Sequence, residues 1–147
     1  MRLIGSYVCM DSGNGSISAN HEFAGLRVLV AEDSWHVAKA LASVLENLGL
    51  SVMGPTACVA GAHELLDQGA PDLAVVDINL RGELSCNLIE QLNDRGVPVI
   101  VVTGYGYGIN PISGASVVLQ KPFSGSALVA SIHQVLKGGR SRKLSPN

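Results

Sequence analysis

Short aliphatic runs alternate along this chain with segments of helical periodicity. The runs that predict strands are residues 27–31, 50–53, 72–77, 97–102 and 117–119. Helical patterns, with apolar side chains three and four positions apart, cover residues 34–48, 59–66, 87–93 and 124–137. This alternation is typical of an α/β domain in which helices cover both faces of a parallel sheet. Right-handed crossovers then favour a doubly wound five-stranded sheet with strand order 2-1-3-4-5.

The segment between the fourth and fifth predicted strands departs from this pattern. Residues 105–115 contain three glycines and a proline at the place where a fourth helix is expected. Both residue types destabilise the interior of a helix, because glycine loses backbone entropy and proline lacks the amide hydrogen. We therefore predict that the fourth helix is shortened or irregular.

Four of the five predicted strands end on, or just before, a polar residue. Glu32 and Asp33 follow the first strand, Asp77 ends the third, Thr103 follows the fourth, and Lys121 comes shortly after the fifth. The carboxyl ends of parallel strands meet at one edge of the sheet, and ligands bind outside that edge. We therefore expect these five side chains to lie together.

Three carboxylates at one edge would repel one another unless a cation lay between them. Mg²⁺, or Mn²⁺ in its place, is a hard ion that prefers oxygen ligands. Lys121 adds a positive charge that suits a phosphoryl oxygen, and Thr103 adds a hydroxyl donor. In such surroundings a carboxylate can act as the nucleophile of phosphoryl transfer and form an aspartyl phosphate. Asp77 is the predicted nucleophile because it ends the central strand.

Taken one at a time, these residues have ordinary structural explanations. Asp33 could cap the first helix, Thr103 could be a loop hydroxyl, and Lys121 could be a surface lysine. Independent structural roles do not require all of them to share one edge, so we favour the functional interpretation. The four histidines lack the spacing of a triad or a metal site, and we expect each to be structural or at the surface.

Composition and charge narrow the class of protein. The chain has 147 residues and a net charge of −2, which gives no electrostatic argument for direct binding to nucleic acid or to an anionic membrane. Its three cysteines lack CxxC spacing, which favours reduced thiols and a cytoplasmic location. No apolar run is long enough to cross a bilayer, so we expect no membrane insertion.

We expect three regions along the chain. Residues 1–24 are rich in serine, glycine and asparagine and predict a flexible N-terminal extension, with a partner-binding arm as the less favoured interpretation. Residues 25–138 form one domain of ordinary size. Residues 139–147 form a polar, flexible tail that begins after the predicted helix stop at Gly138-Gly139.

The polar residues at the strand ends resemble a known family. Glu32-Asp33, Asp77, Thr103-Gly104 and Lys121-Pro122-Phe123 are similar to the acidic pair, phospho-acceptor, switch hydroxyl and Lys-Pro of response-regulator receiver domains. The resemblance implies a flavodoxin-like fold and Mg²⁺-dependent acceptance of a phosphoryl group from a sensor histidine kinase or a phosphotransfer protein. It also implies roles for single residues. Asp33, Asp77 and the backbone carbonyl of Asn79 would bind the metal directly, and Glu32 would contribute through water. Thr103 and Lys121 would contact the phosphoryl oxygens.

The sequence departs from the common receiver pattern at Val118 and in the glycine-rich segment where the fourth helix is expected. Many receivers have an aromatic residue three positions before the lysine, and here that position is Val118. The run Val101-Val-Thr-Gly-Tyr105 resembles the Phe-Ala-Thr-Gly-X-Tyr motif of an alphaproteobacterial subfamily of stand-alone receivers that take part in phosphorelays. The fit is partial, because two valines replace Phe-Ala and the tyrosine comes one place early.

The sequence after the last predicted helix is short, so we expect no output domain there and no dedicated enzyme activity. Output would then be contact with an unknown downstream protein, or phosphate flow itself. The glycine-rich loop of residues 103–115 is the predicted element that responds to phosphorylation.

Two other functions stay open at the sequence level. One is a receiver-shaped binding module that phosphorylation does not regulate. The other is a haloacid-dehalogenase-like phosphatase, which also uses an aspartate, a hydroxyl, a lysine and Mg²⁺. That class has a second acid two residues after its nucleophile, where this chain has Asn79.

Overall fold

The computed structural model describes residues 22–104 and 112–144. Seven strands and four helices lie in this part of the chain. The strands are β1 (Arg27–Ala31), β2 (Ser51–Thr56), β3 (Leu73–Asp77), β4 (Asn79–Leu80), β5 (Glu83–Leu84), β6 (Val99–Thr103) and β7 (Val117–Gln120). The helices are α1 (Trp35–Asn47), α2 (Val59–Gln68), α3 (Cys86–Asp94) and α4 (Gly125–Leu144). Residues 1–21, 105–111 and 145–147 lie outside the described residues, and so do most of the predicted extension, most of the predicted loop and the end of the predicted tail.

Five strands form one sheet in the order β2-β1-β3-β6-β7, and every neighbouring pair is parallel. The predicted strand order is therefore confirmed, since β6 and β7 are the fourth and fifth strands of the prediction. The register pairs Ala31 with Val76 and Asp77 with Val102, so the carboxyl ends of the three central strands are nearly level. This alignment brings their following residues to one edge.

The hydrophobic core has two layers, one on each face of the sheet. Successive strand residues point to opposite faces of the sheet, and helices cover both faces. β3 is therefore buried along its whole length, and its apolar residues do not alternate with polar ones. One layer packs α2 and α3 against the sheet, and the other packs α1 and α4 against it. This burial explains why the run before Asp77 is continuously aliphatic.

Two predicted element ends were wrong. β2 was expected to close at Gly54-Pro55, but it continues to Thr56. Proline is tolerated there because β2 is an edge strand, and the register of its pairing with β1 shifts at this point. α4 was expected to end at Gly138-Gly139, but its backbone stays helical to Leu144. Each glycine costs a helix only about 1 kcal/mol, so a glycine pair disfavours a helix without necessarily ending it.

α1 lies within the helical pattern of residues 34–48 and is one residue shorter at each end. Ser34 caps the helix and accepts a hydrogen bond from the Val37 amide at 3.5 Å. Gly49 follows with a φ of +96°, the left-handed conformation that glycine adopts at little cost. None of the described helices is both long and apolar enough to cross a membrane.

Candidate functional site

Three carboxylates converge at the carboxyl edge of the sheet. Glu32, Asp33 and Asp77 each place an oxygen within 4.8 Å of the oxygens of the other two. Glu32 and Asp77 are buried, and Asp33 is partly exposed. In the described part of the chain, no other group of three or more acidic, histidine or cysteine side chains comes together in this way. The predicted acid cluster is therefore present in the structure.

Lys121 lies across the acid cluster. Its Nζ donates a hydrogen bond to Asp77 Oδ2 at 2.7 Å and another to Glu32 Oε2 at 3.1 Å. The loop after β7 brings the lysine here, because the Lys121 amide also donates to the carbonyl of Thr103 at 2.8 Å. The lysine side chain keeps 25% of its surface exposed, so this edge of the cluster is open to a ligand.

Thr103 and Asn79 complete the predicted set. Thr103 is buried at the end of β6, and its backbone contact with Lys121 places it beside the lysine. The Asn79 amide donates to Asp77 Oδ1 at 3.0 Å, and the Asn79 side-chain oxygen accepts from the Gly82 amide at 2.7 Å. The two oxygens of Asp77 therefore have different partners, a backbone amide for Oδ1 and an ammonium group for Oδ2.

The pKa of Glu32 is raised from its ordinary value of 4.5 to about 7. Burial is the main cause, and the nearby Asp77 carboxylate raises the pKa further. Hydrogen bonds from the Ser34 amide at 2.9 Å and from Lys121 lower the pKa but do not outweigh burial. One oxygen, Oε1, is buried without a hydrogen bond; Lys121 Nζ lies 3.1 Å from it, but as an ion-pair contact without hydrogen-bond geometry.

The pKa values of Asp33 and Lys121 are each shifted in the direction that favours the ionised form. Burial alone would raise the pKa of Asp33, but a hydrogen bond from the Arg81 amide at 2.9 Å, the neighbouring Glu32 and Lys121 together lower it. Burial alone would lower the pKa of Lys121, but its bonds to Asp77 and Glu32 raise it. The positive charge of Lys121 is therefore shared between the carboxylates of Asp77 and Glu32.

These residues fit a hard divalent cation. All three side chains offer oxygen ligands, and the buried Glu32 Oε1 accepts no hydrogen bond. One lysine does not neutralise three carboxylates, so negative charge remains at the edge. Mg²⁺ binds through a few carboxylates and keeps several waters, which suits an open edge.

The affinity for Mg²⁺ is expected to fall by roughly tenfold between pH 8 and pH 6, because protonation of Glu32 removes one negative charge from the site. With a pKa of about 7, most of the Glu32 population is ionised at pH 8 and most is protonated at pH 6. Isothermal titration with MgCl₂ at both values measures the change. Glu32→Gln should bind Mg²⁺ more weakly and lose this pH dependence. Equal affinity of the wild-type protein at the two values would contradict the prediction.

The same raised pKa has a consequence for folding in the absence of metal. The folded state keeps the Glu32 proton up to about pH 7, whereas the unfolded chain loses it near 4.5. The contribution of this group to stability therefore falls as the pH rises between those values, and the cost of ionisation is fully present above about pH 7.

Sequence reasoning missed two parts of the site. β4 and β5 form a short antiparallel hairpin directly after Asp77, with Arg81 at φ +56° and Gly82 at φ +87° in its turn. Ser85, which follows the hairpin, is fully buried and donates from its hydroxyl to the Asp77 carbonyl at 2.7 Å. In the sequence, the glycine at position 82 is the only signal for the hairpin. Ser85 has no distinctive signal, because a serine before a helix is usually a cap.

Comparison with known proteins identifies the family. Residues 28–133, more than half of the chain, match the response regulator receiver domain. The chain belongs to the response-regulator receiver family. FixJ, a transcriptional regulatory protein of Azorhizobium caulinodans, is 34% identical over 125 residues, which cover 79% of this chain and 56% of FixJ. RegX3, a sensory transduction protein of Mycobacterium tuberculosis, is 32% identical over 117 residues, which cover 76% of this chain and 51% of RegX3. This receiver chain thus spans about half the length of these curated relatives.

Solved structures have the same fold. The receiver domain of PhyR from Erythrobacter litoralis has a TM-score of 0.68 at 28% identity. The matched region covers 78% of this chain and 92% of the PhyR domain. SdrG from Sphingomonas melonis has a TM-score of 0.67 at 32% identity. The matched region covers 76% of this chain and 96% of SdrG. The five-stranded flavodoxin-like prediction is therefore confirmed, and the family assignment disfavours the phosphatase alternative.

The structure describes Val118 and part of the connection from β6 to β7, where the sequence departs from the common receiver pattern. Val118 lies on the edge strand β7 and is 43% exposed, so an aliphatic side chain occupies the position where an aromatic was expected. Residues 104 and 112–116, the described part of the connection from β6 to β7, contain no helix. Tyr105, on which the comparison with the alphaproteobacterial motif depends, lies outside the described residues.

Proposed function

We propose that this receiver accepts a phosphoryl group on Asp77 from a sensor histidine kinase or a phosphotransfer protein, in a Mg²⁺-dependent reaction. The observation that carries the proposal is the position of the Asp77 carboxylate, 2.7 Å from Lys121 Nζ and within 4.8 Å of two further carboxylates. A purely structural ion pair needs the lysine and one acid. It does not need Glu32 and Asp33 beside them with a buried oxygen that lacks a hydrogen bond.

The reaction is a displacement at phosphorus. An oxygen of the Asp77 carboxylate forms a bond to the phosphorus of the donor, and the bond from phosphorus to the donor's nitrogen or oxygen breaks. The leaving group takes that electron pair and is protonated from solvent. Lys121 is placed to contact an oxygen of the transferred group, and Thr103 adjoins the lysine and offers a hydroxyl donor.

The residues that would hold the metal are Glu32, Asp33, Asp77 and the backbone carbonyl of Asn79. Bound Mg²⁺ would neutralise charge on the carboxylates and on the transferred phosphoryl group. Asn79 is kept close to Asp77 by its own amide, which donates to Oδ1. Glu32 would act through water, as the resemblance to receiver domains implies.

The partners follow from the same chemistry. The donor must present a phosphorylated side chain to the open edge beside Lys121, which fits the phosphohistidine of a kinase or a phosphotransfer protein. We propose that the modified receiver signals by contact with a downstream protein or by passing the phosphoryl group on, in the cytoplasm. Its part is that of a phosphoryl acceptor and not of a dedicated enzyme.

The proposal is tested by intact-mass measurement after incubation with acetyl phosphate and MgCl₂. The mass should rise by one phosphoryl group, and peptide mapping should place the group on Asp77. Chelation of the metal with EDTA should prevent the gain. A protein that stays unlabelled with Mg²⁺ present would favour the binding module that phosphorylation does not regulate. A label on another residue would contradict the assignment of Asp77 as the acceptor.

A further inference from the structure

The hydroxyl of Ser85 has an unusual hydrogen-bond partner. Ser85 immediately precedes α3 and is fully buried. Serine at this position usually accepts a hydrogen bond from an amide in the first turn of the helix. Here the side chain makes no such bond. Its hydroxyl donates instead to the backbone carbonyl of Asp77, at 2.7 Å.

Ser85 is attached to the phospho-acceptor segment at two successive carbonyls. The Ser85 amide donates to the carbonyl of Ile78 at 2.9 Å, next to the bond from its hydroxyl to Asp77. On the other side, the Ile78 amide donates to the carbonyl of Val102 in β6 at 2.9 Å. The backbone that carries Asp77 is therefore held between the sheet and Ser85.

These bonds close a loop that contains the whole β4–β5 hairpin. The hairpin carries Asn79, whose amide bonds to Asp77 Oδ1, and Arg81, whose amide bonds to Asp33 Oδ2 at 2.9 Å. The position of the hairpin therefore affects two of the three carboxylates. Ser85 fixes the point at which the hairpin returns to the core.

We propose that Ser85 is a positioning residue, which sets the arrangement of the Asp77 backbone and the hairpin for divalent-metal binding. It touches neither the metal nor the phosphoryl group, and it acts through the Asp77 carbonyl. The inference rests on the proposed function only in taking the acid cluster as a metal site. The Ser85 hydroxyl does not cap α3, so its bond to the Asp77 carbonyl is explained by the position of the Asp77 backbone and not by the helix.

The test is the affinity for Mg²⁺ of Ser85→Ala, measured by titration calorimetry or by the fluorescence of Trp35, the single tryptophan of the chain, two residues from Asp33. Loss of one buried hydrogen bond that orders the site should weaken binding by about fivefold. Ser131→Ala is the matched control, because the Ser131 hydroxyl is also buried and donates to a backbone carbonyl, that of Ala127, at 2.9 Å within α4. The control should keep wild-type affinity.

Two further measurements separate positioning from general stability. Ser85→Thr keeps the hydroxyl and should restore most of the affinity that Ser85→Ala loses. Amide hydrogen exchange at Asn79 should be faster in Ser85→Ala than in Ser131→Ala, because the Asn79 amide bonds to the carboxylate that Ser85 positions. Wild-type Mg²⁺ affinity and unchanged Asn79 exchange in Ser85→Ala would overturn the proposal.

The outcome is independent of phosphoryl transfer. A wild-type protein that binds Mg²⁺ but gains no phosphoryl group would refute the proposed function and leave the role of Ser85 intact. A protein that gains the group while Ser85→Ala binds Mg²⁺ normally would refute only the role of Ser85.

Discussion

Asp77→Asn is expected to reduce phosphoryl labelling by acetyl phosphate and Mg²⁺ to less than about 1% of the wild-type level, because an amide cannot act as the nucleophile. Asparagine keeps the shape of the side chain, and its oxygen can still accept the hydrogen bond that the Asn79 amide donates to Asp77. The protein should therefore fold. Mg²⁺ affinity should also fall, since one of the three carboxylates is lost.

Asp72→Asn is the matched control for this substitution. Asp72 directly precedes the same strand, β3, at the opposite edge of the sheet, and its Oδ2 accepts a hydrogen bond from the Arg27 amide at 2.9 Å. The control removes a charge of the same kind, so labelling should persist in it. A label that survives Asp77→Asn would show that another residue accepts the group, and the proposed function would then be wrong.

The convergence of the site could be predicted because it follows from strand order alone. Once the sheet was taken as parallel, Glu32, Asp77 and Thr103 had to emerge at one edge, whatever the details of packing. The continuous burial of β3 also left a clear trace, a run of aliphatic residues that ends on an acid.

The details that depend on tertiary contacts could not be predicted in this way. The contact of Lys121 with both Glu32 and Asp77 depends on the path of the loop after β7, and the raised pKa of Glu32 depends on its burial. The same holds for Ser85, whose bond to Asp77 spans eight residues and requires the hairpin to fold back. A prediction from residue propensities makes that serine a helix cap, whereas in the structure its hydroxyl donates to the end of β3.

The second large effect is expected for Lys121→Met, with opposite signs for metal binding and for phosphoryl transfer. Lys121 Nζ lies between Glu32 and Asp77 and neutralises part of the charge that would attract a divalent cation. Removing that charge should strengthen Mg²⁺ binding by roughly tenfold. Removing a donor aimed at the transferred group should slow labelling on the order of 100-fold.

The two signs distinguish a lysine that acts in transfer from one that only pairs with acids. A structural lysine would change stability and metal affinity, but labelling at saturating Mg²⁺ would proceed at the wild-type rate. Lys137→Met is the control, because Lys137 forms a largely exposed ion pair with Glu22 at 3.3 Å and should change neither quantity. Time courses of labelling by mass spectrometry, at Mg²⁺ concentrations that saturate each variant, measure the rate. Since the substitution leaves Asp77 and the other carboxylates in place, slow labelling with tight metal binding would assign to Lys121 the stabilisation of charge on the phosphoryl group.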